Sequence, residues 1–332
     1  MRHVLERASR SLWARLVVTL ALLGLVASRV DWQAAVRRVG HGEPTWFAGA
    51  VGLLLASQVV AALRWRVLLR VAGVETPLRE AVRAYFIGSF SNNFLPTSFG
   101  GDIARAWIVS GSRRRLIPVL TSVLVDRISA VWCLFLVAWV AVAADAGAVP
   151  RVLVLALLCV TGASIAAFAG ALVVARKGRG FLARRLPERV GAWARELRHT
   201  LALYVRQPRP FALASLLGLL FQAAAVGAVF AVARGIELHL PFSLAAVSAP
   251  LVLVITLFPI SIAGFGVREG GMVLVLGAAG YAATDATVLS LTGVVALLVA
   301  TLPGAAALLL RPRNCTTNPE QRDARAPTHS AA

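Results

Sequence analysis

Two stretches of this sequence place guanidinium groups among helix-breaking residues inside otherwise apolar surroundings. The first runs Ser91-Asn92-Asn93-Phe94-Leu95-Pro96-Thr97-Ser98-Phe99-Gly100-Gly101-Asp102-Ile103-Ala104-Arg105-Ala106-Trp107. Pro96 cannot continue a helical hydrogen-bond ladder, and Gly100 and Gly101 admit backbone conformations closed to other residues, so the pattern predicts a tight turn between two half-helices. Asn92 and Asn93 then end the entering half, Asp102 starts the leaving half as its N-cap, and Arg105 lies one turn further in. A helix N-terminus with free N–H groups beside a guanidinium is chemistry suited to a phosphate headgroup.

The second stretch runs Phe258-Pro259-Ile260-Ser261-Ile262-Ala263-Gly264-Phe265-Gly266-Val267-Arg268-Glu269-Gly270-Gly271. Here Arg268 follows Pro259 by the same nine residues that separate Arg105 from Pro96, with Gly264 and Gly266 between. Two such breaks facing one another form a pseudo-twofold pair. Asp126 and Arg127 add a third feature, an ionised pair in the middle of an apolar run, where a charge is costly enough to require a partner or a function. Adjacent residues on a helix point about 100° apart, so the two need not pair with each other. Either Asp126 neutralises Arg105 or Arg268 and leaves Arg127 for an anionic substrate, or the charges form an internal network that locks the helices.

These residues sit in a chain whose solvent is lipid. The 332 residues are 58% hydrophobic and 15% charged, with a mean hydropathy of +0.77, outside the balance of a soluble globular chain. A spanning helix needs about 20 apolar residues, and six runs meet that template: Leu12 to Ser28, Thr45 to Leu63, Leu116 to Ala143, Val152 to Ala175, Phe211 to Ala233 and Thr287 to Leu310. The N-terminal run also has the outline of a cleaved signal peptide, but a retained first helix is the simpler reading. The two broken regions, Leu78 to Ser110 and Phe242 to Tyr281, are read as re-entrant hairpins. The alternative is two full spans, or one long kinked span, in each.

The charge is lopsided, with 34 basic against 15 acidic residues. It gathers in short stretches between apolar runs rather than in a surface stripe, which argues against nucleic acid and for cytoplasmic loops. With the N-terminus inside, only Arg29, Arg37, Arg38, Arg151 and Arg234 fall outside; Arg64, Arg66, Arg70 and the basic run from Arg176 to Arg209 all fall inside. This works only if the hairpins enter and leave on one side, the first from the cytoplasm and the second from outside. The order is then span, span, hairpin, span, repeated with opposite polarity, which is an inverted repeat. The expected fold is an all-α polytopic membrane protein of about six spanning helices plus two opposed hairpins. Its transmembrane domain covers residues 1–310, with a basic amphipathic segment at 176–209 on the inner leaflet and a disordered cytoplasmic tail at 311–332.

Cys133, Cys159 and Cys315 form neither a disulfide framework nor a metal-ligand spacing, and no nucleotide-binding or hydrolase signature occurs, so neither metal nor cofactor is expected. Gln58 and Gln222 read as interhelical hydrogen-bond glue.

The string from Asn92-Asn93-Phe94-Leu95-Pro96 through Gly100-Gly101-Asp102 to Arg105, the Asp126-Arg127 pair, and Pro259-Ile260-Ser261 through Gly264, Gly266 and Val267-Arg268-Glu269-Gly270 resemble the flippase-like membrane domain of the lysylphosphatidylglycerol synthase transmembrane family. The resemblance covers essentially the whole chain to about Leu310. In bifunctional members of that family a lipid translocase is joined to a soluble aminoacyltransferase; the expectation here is a stand-alone member, so the translocase role is implied and the synthase label is not carried over. Asp126 stands where the family pattern expects an acidic residue, commonly Glu.

The leading expectation is therefore a non-enzymatic lipid translocase of the bacterial cytoplasmic membrane, with both termini cytoplasmic. It moves an anionic or amphoteric phospholipid or a polyprenyl-phosphate lipid, held by Arg105, Arg127 and Arg268 with Asn92 and Asn93. The alternatives are a membrane-embedded transferase or synthase subunit using Asp102, Asp126 and Glu269 as acid or base, and a scaffold that joins envelope-biosynthesis partner proteins.

Overall fold

The computed structural model describes residue 17, residues 19–28, 30–95, 100–111, 113–145, 147–177 and 200, residues 202–204 and 206–256, residue 261 and residues 264–310. Pro96, Pro259, most of the basic amphipathic segment, the start of the first expected span and the tail after Leu310 lie outside the described residues.

Every regular element among the described residues is helical. Residues 19–27 form α1, followed by α2 (Trp32–His41), α3 (Pro44–Val71), α4 (Leu78–Asn92), α5 (Gly100–Ser110), α6 (Arg113–Ala144) and α7 (Arg151–Lys177). Then come α8 (Pro208–Gly235), α9 (Phe242–Thr256), α10 (Val267–Gly277) and α11 (Ala283–Leu309). In lipid the backbone must satisfy its own hydrogen bonds, so apolar runs of this length have no alternative to the helix. Five of the helices, α3, α6, α7, α8 and α11, are long and apolar enough to cross a membrane. Of the six expected spans, the first is described at residue 17 and residues 19–28, and it is helical there up to Ala27.

The second expected span is longer than its hydropathy suggested. Helix α3 continues eight residues past Leu63 to Val71, carrying Arg64 and Trp65 into the protein interior, both fully buried. Arg64 is therefore not a loop charge and does not mark which side of the membrane is inside.

Each broken region is a pair of short helices, and the two pairs match in length: 15 then 11 residues in α4 and α5, and 15 then 11 in α9 and α10. At 1.5 Å per residue the longer arm reaches only about 22 Å, short of the roughly 30 Å hydrocarbon core, so each pair is a hairpin of half-helices.

The repeat shows in the packing as well. Helices α3 and α8 each run 28 residues from a proline in the first turn, whose missing N–H costs nothing there. They make the most extensive helix pairing in the protein. Gly218 lies against Arg64, Gly227 against Leu53 and Gly235 against Trp46, so numbers rise along one helix as they fall along the other and the two run antiparallel. The remaining contacts obey the same exchange. The entering arm α4 packs on α11 as α9 packs on α6, and α5 packs on α6 as α10 packs on α11. Each hairpin is thus held by the last span of the opposite repeat, which brings both hairpins to the centre.

Lipid tails are as apolar as leucine, so close approach rather than hydrophobicity holds these helices together. Ala50, Ala61 and Ala62 on α3 and Ala228, Ala231 and Ala233 on α8 are all buried. Gly304 on α11 sits so near the Phe86 carbonyl that a Cβ there would overlap it.

Candidate functional site

Between the two hairpins lies a cavity of about 310 Å³. The first repeat lines it with Arg64, Tyr85, Asn92, Asn93, Asp102, Arg105, Asp126 and Arg127, and the second contributes Arg268 and Gly264 together with Leu253, Phe265, Val294, Leu297 and Leu298.

The charges are arranged by three elements of the first repeat. Asp126, midway along α6, accepts from Arg64 Nε at 2.8 Å on Oδ1 and from Arg105 Nη2 at 2.9 Å on Oδ2. Arg64 Nη2 also donates to the Asp126 backbone carbonyl at 2.8 Å. Arg127, one residue on and turned toward the neighbouring hairpin, donates through Nε to Asp102 Oδ2 at 2.7 Å. Asp102 Oδ1 stands 3.1 Å from Arg105 Nε. Three guanidiniums and two carboxylates thus form one network linking α3, α5 and α6. The Arg105 guanidinium is also stacked between aromatic faces, 4.6 Å from the Trp65 ring and 4.7 Å from the Tyr85 ring, the arrangement a weakly hydrated planar cation favours.

Of the two pairings expected for Asp126, the one with Arg105 is present and the one with Arg268 is not. Arg127 is not left free; Asp102 holds it, although its side chain is 45% exposed. Arg268 has no salt bridge or side-chain hydrogen bond among the described residues. Two donors, Arg64 Nη1 and Arg105 Nη1, are buried without a hydrogen-bond partner, and Arg105 Nε has only its ion pair with Asp102.

Asp102 is not the N-cap expected of it. It is the third residue of α5, and the cap comes from across the turn, where Asn92 Oδ1 accepts from Gly101 N–H at 2.8 Å. Asn93 donates to Thr301 Oγ1 on α11 at 3.0 Å. Gly100 and Gly101 lie within the first turn of α5 rather than in the turn itself. Gly101 is required by close approach, because a Cβ there would overlap the Gly88 carbonyl of the opposing arm. In the second hairpin Gly264 and Gly266 do adopt the left-handed φ of +79° that glycine supplies.

Glu269 does not line the cavity. Its carboxylate turns back to accept the Gly266 N–H at 2.6 Å, closing the first turn of α10, and its other oxygen lies 3.5 Å from Ser290 Oγ. Counted from the first described residue of each half-helix, Asp102 and Glu269 are third, Arg105 sixth and Arg268 second. The shared spacing from a proline made Arg105 and Arg268 look equivalent, and they are not.

Arg64 is the site residue that the sequence reading missed. It stands first in a run of arginines, Arg64, Arg66 and Arg70, and looks like a helix flank. The apolar residues that follow, Val67, Leu68, Leu69 and Val71, are the signal that the helix continues. Gln58 and Gln222 make the interhelical bonds expected of them, to Ser89 Oγ at 2.9 Å and to the Ala130 carbonyl at 2.8 Å.

A family model described as the lysylphosphatidylglycerol synthase TM region matches residues 12–304. No curated protein matches the chain.

Proposed function

The chain belongs to the lysylphosphatidylglycerol synthase transmembrane family, and on that premise we propose that it is a lipid translocase, carrying a lipid with an anionic or amphoteric headgroup between leaflets through the cavity where its hairpins meet. The observation that carries this reading is the excess of arginine around that cavity, lined by Arg64, Arg105, Arg127 and Arg268 against Asp102 and Asp126, with Arg64 Nη1 and Arg105 Nη1 left without a hydrogen-bond partner. A buried guanidinium N–H left without an acceptor is costly, and a phosphate oxygen is the acceptor that a lipid brings.

Two opposed hairpins at membrane depth support alternating access, in which one repeat rocks against the other around a fixed central site. Transport of this kind draws on a gradient or the membrane potential, the chain having no nucleotide-binding motif. Basic residues flanking the remaining spans favour the bacterial cytoplasmic membrane with both termini in the cytoplasm. Membrane lipids are the partners this reading requires. The transferase alternative has less support, because Asp102, Asp126 and Glu269 are each already engaged in a salt bridge or a helix cap.

The test is reconstitution of the full chain into vesicles carrying a fluorescent phospholipid, with an impermeant quencher added outside. Active protein makes the inner-leaflet fraction accessible. Vesicles in which that fraction stays protected at every lipid tried would sink the proposal.

A further inference from the structure

The charge balance in the cavity points to a narrower class of substrate: a lipid bearing an unmasked phosphate, a phosphomonoester or diphosphate, with no amine in its headgroup. This inference rests on the translocase reading and names what that site takes.

Four arginines, Arg64, Arg105, Arg127 and Arg268, line the cavity against two aspartates, Asp102 and Asp126, which leaves two positive charges unmatched. A phosphodiester carries one negative charge; a terminal phosphate carries between about 1.5 and 2 at neutral pH and offers three acceptor oxygens. The donors without a partner are on separate helices, Arg64 Nη1 on α3 and Arg105 Nη1 on α5, and Arg268 lines the cavity from α10. A group with several acceptor oxygens suits a cavity whose guanidiniums are supplied by several helices.

The acids argue the other half. Asp126 gives Oδ1 to Arg64 and Oδ2 to Arg105, and Asp102 gives Oδ2 to Arg127 with Oδ1 beside Arg105. Glu269 faces its own helix start. An ammonium entering the cavity would therefore meet guanidiniums and no unengaged carboxylate among the described lining residues. A lysylated or ethanolamine headgroup is disfavoured on that account.

The repeat explains where the tail goes. The twenty-first residue of α3 is Arg64 and that of α8 is Ala228; the fourteenth of α6 is Asp126 and that of α11 is Ala296. The second repeat thus has buried alanines where the first has its network, and it offers the cavity Leu253, Phe265, Val294, Leu297 and Leu298. The first repeat's wall suits a phosphate; the second's, apart from Arg268, Thr256 and Thr301, is apolar and suits a hydrocarbon chain.

The experiment is lipid binding to the purified full chain by native mass spectrometry, with phosphatidic acid, phosphatidylglycerol, phosphatidylethanolamine and lysylphosphatidylglycerol each offered at equal concentration. Inorganic phosphate is added as a competitor. Phosphatidic acid should bind at least tenfold more tightly than phosphatidylglycerol, phosphatidylethanolamine or the lysylated lipid, and Arg268→Gln should shrink that preference severalfold. Inorganic phosphate should displace it only weakly. Equal or stronger binding of phosphatidylglycerol or of an amine-bearing lipid would overturn the substrate class and leave lipid transport standing. Binding of inorganic phosphate with no retention of any lipid would overturn the lipid reading itself.

Discussion

Arg64 and Asp126 are 62 residues apart in sequence and 2.8 Å apart in the fold, both almost wholly buried, with Arg105 on the far side of the same carboxylate. Removing that carboxylate strands two guanidiniums in a medium that cannot solvate them. Asp126→Leu should therefore cost roughly 3–5 kcal/mol, the usual loss when one partner of a buried pair is deleted. Replacing the pair together, Arg64→Met with Asp126→Leu, removes the stranded charge on α3 and leaves Arg105 with Asp102. Thermal unfolding in detergent should show the double variant to be more stable than the single one, and the opposite order would mean that the network does not depend on the Arg64 contact.

Arg127 is the exposed member of the network. Its partner Asp102 is buried but keeps Arg105 Nε at 3.1 Å, so Arg127→Gln should cost less than Asp126→Leu, about 1–3 kcal/mol. Headgroup binding is a different matter, since a guanidinium on a phosphate makes a strong charge-assisted bond. Affinity for an anionic lipid should fall about tenfold, equivalent to about 1.4 kcal/mol. A large drop in stability with affinity preserved would instead make Arg127 a structural lock.

Two adjacent glycines are expected to behave differently. A Cβ at Gly101 would overlap the Gly88 carbonyl, which is backbone and cannot swing away, whereas a Cβ at Gly100 would meet the end of the Leu95 side chain at 2.5 Å. Gly101→Ala should part the hairpin arms and cost on the order of 1–3 kcal/mol, with loss of transport. Gly100→Ala should be tolerated after Leu95 shifts. The same unfolding assay distinguishes them, with Gly52→Ala in an open stretch of α3 as a neutral reference.

How far the sequence foretold this arrangement depended on the length scale of the signal. The hairpins were legible because proline and glycine interrupt a hydrophobic run at a definite place, and the limits Leu78 and Ser110 read from composition are the ends of α4 and α5. The meeting of both hairpins at one cavity followed from the order of spans, a global property that hydropathy reports well. Side-chain pairing was less legible. Arg64 resembled a flanking charge because hydropathy averages over a window and cannot tell an arginine that ends a helix from one buried in its last third. The nine-residue spacing after Pro96 and Pro259 suggested that Arg105 and Arg268 were equivalent. In the fold they differ: Arg105 pairs with Asp126 and stacks on Trp65 and Tyr85, whereas Arg268 has no salt bridge among the described residues and its neighbour Glu269 caps α10.

Glu269 tests that difference. Its carboxylate accepts the Gly266 N–H at 2.6 Å and places negative charge at the positive end of α10. A residue that acts as a cap needs an acceptor oxygen, and a residue that binds substrate or transfers protons as an acid needs its charge. Glu269→Gln keeps an amide oxygen for the Gly266 N–H, so stability should fall by about 1 kcal/mol or less and transport should persist. Glu269→Ala leaves the N–H without its partner; it should cost about 1–2 kcal/mol and loosen the turn that presents Arg268, so that transport weakens along with stability. If transport collapsed in Glu269→Gln while unfolding stayed at the parent temperature, the carboxylate would have a chemical role that its inward turn does not account for.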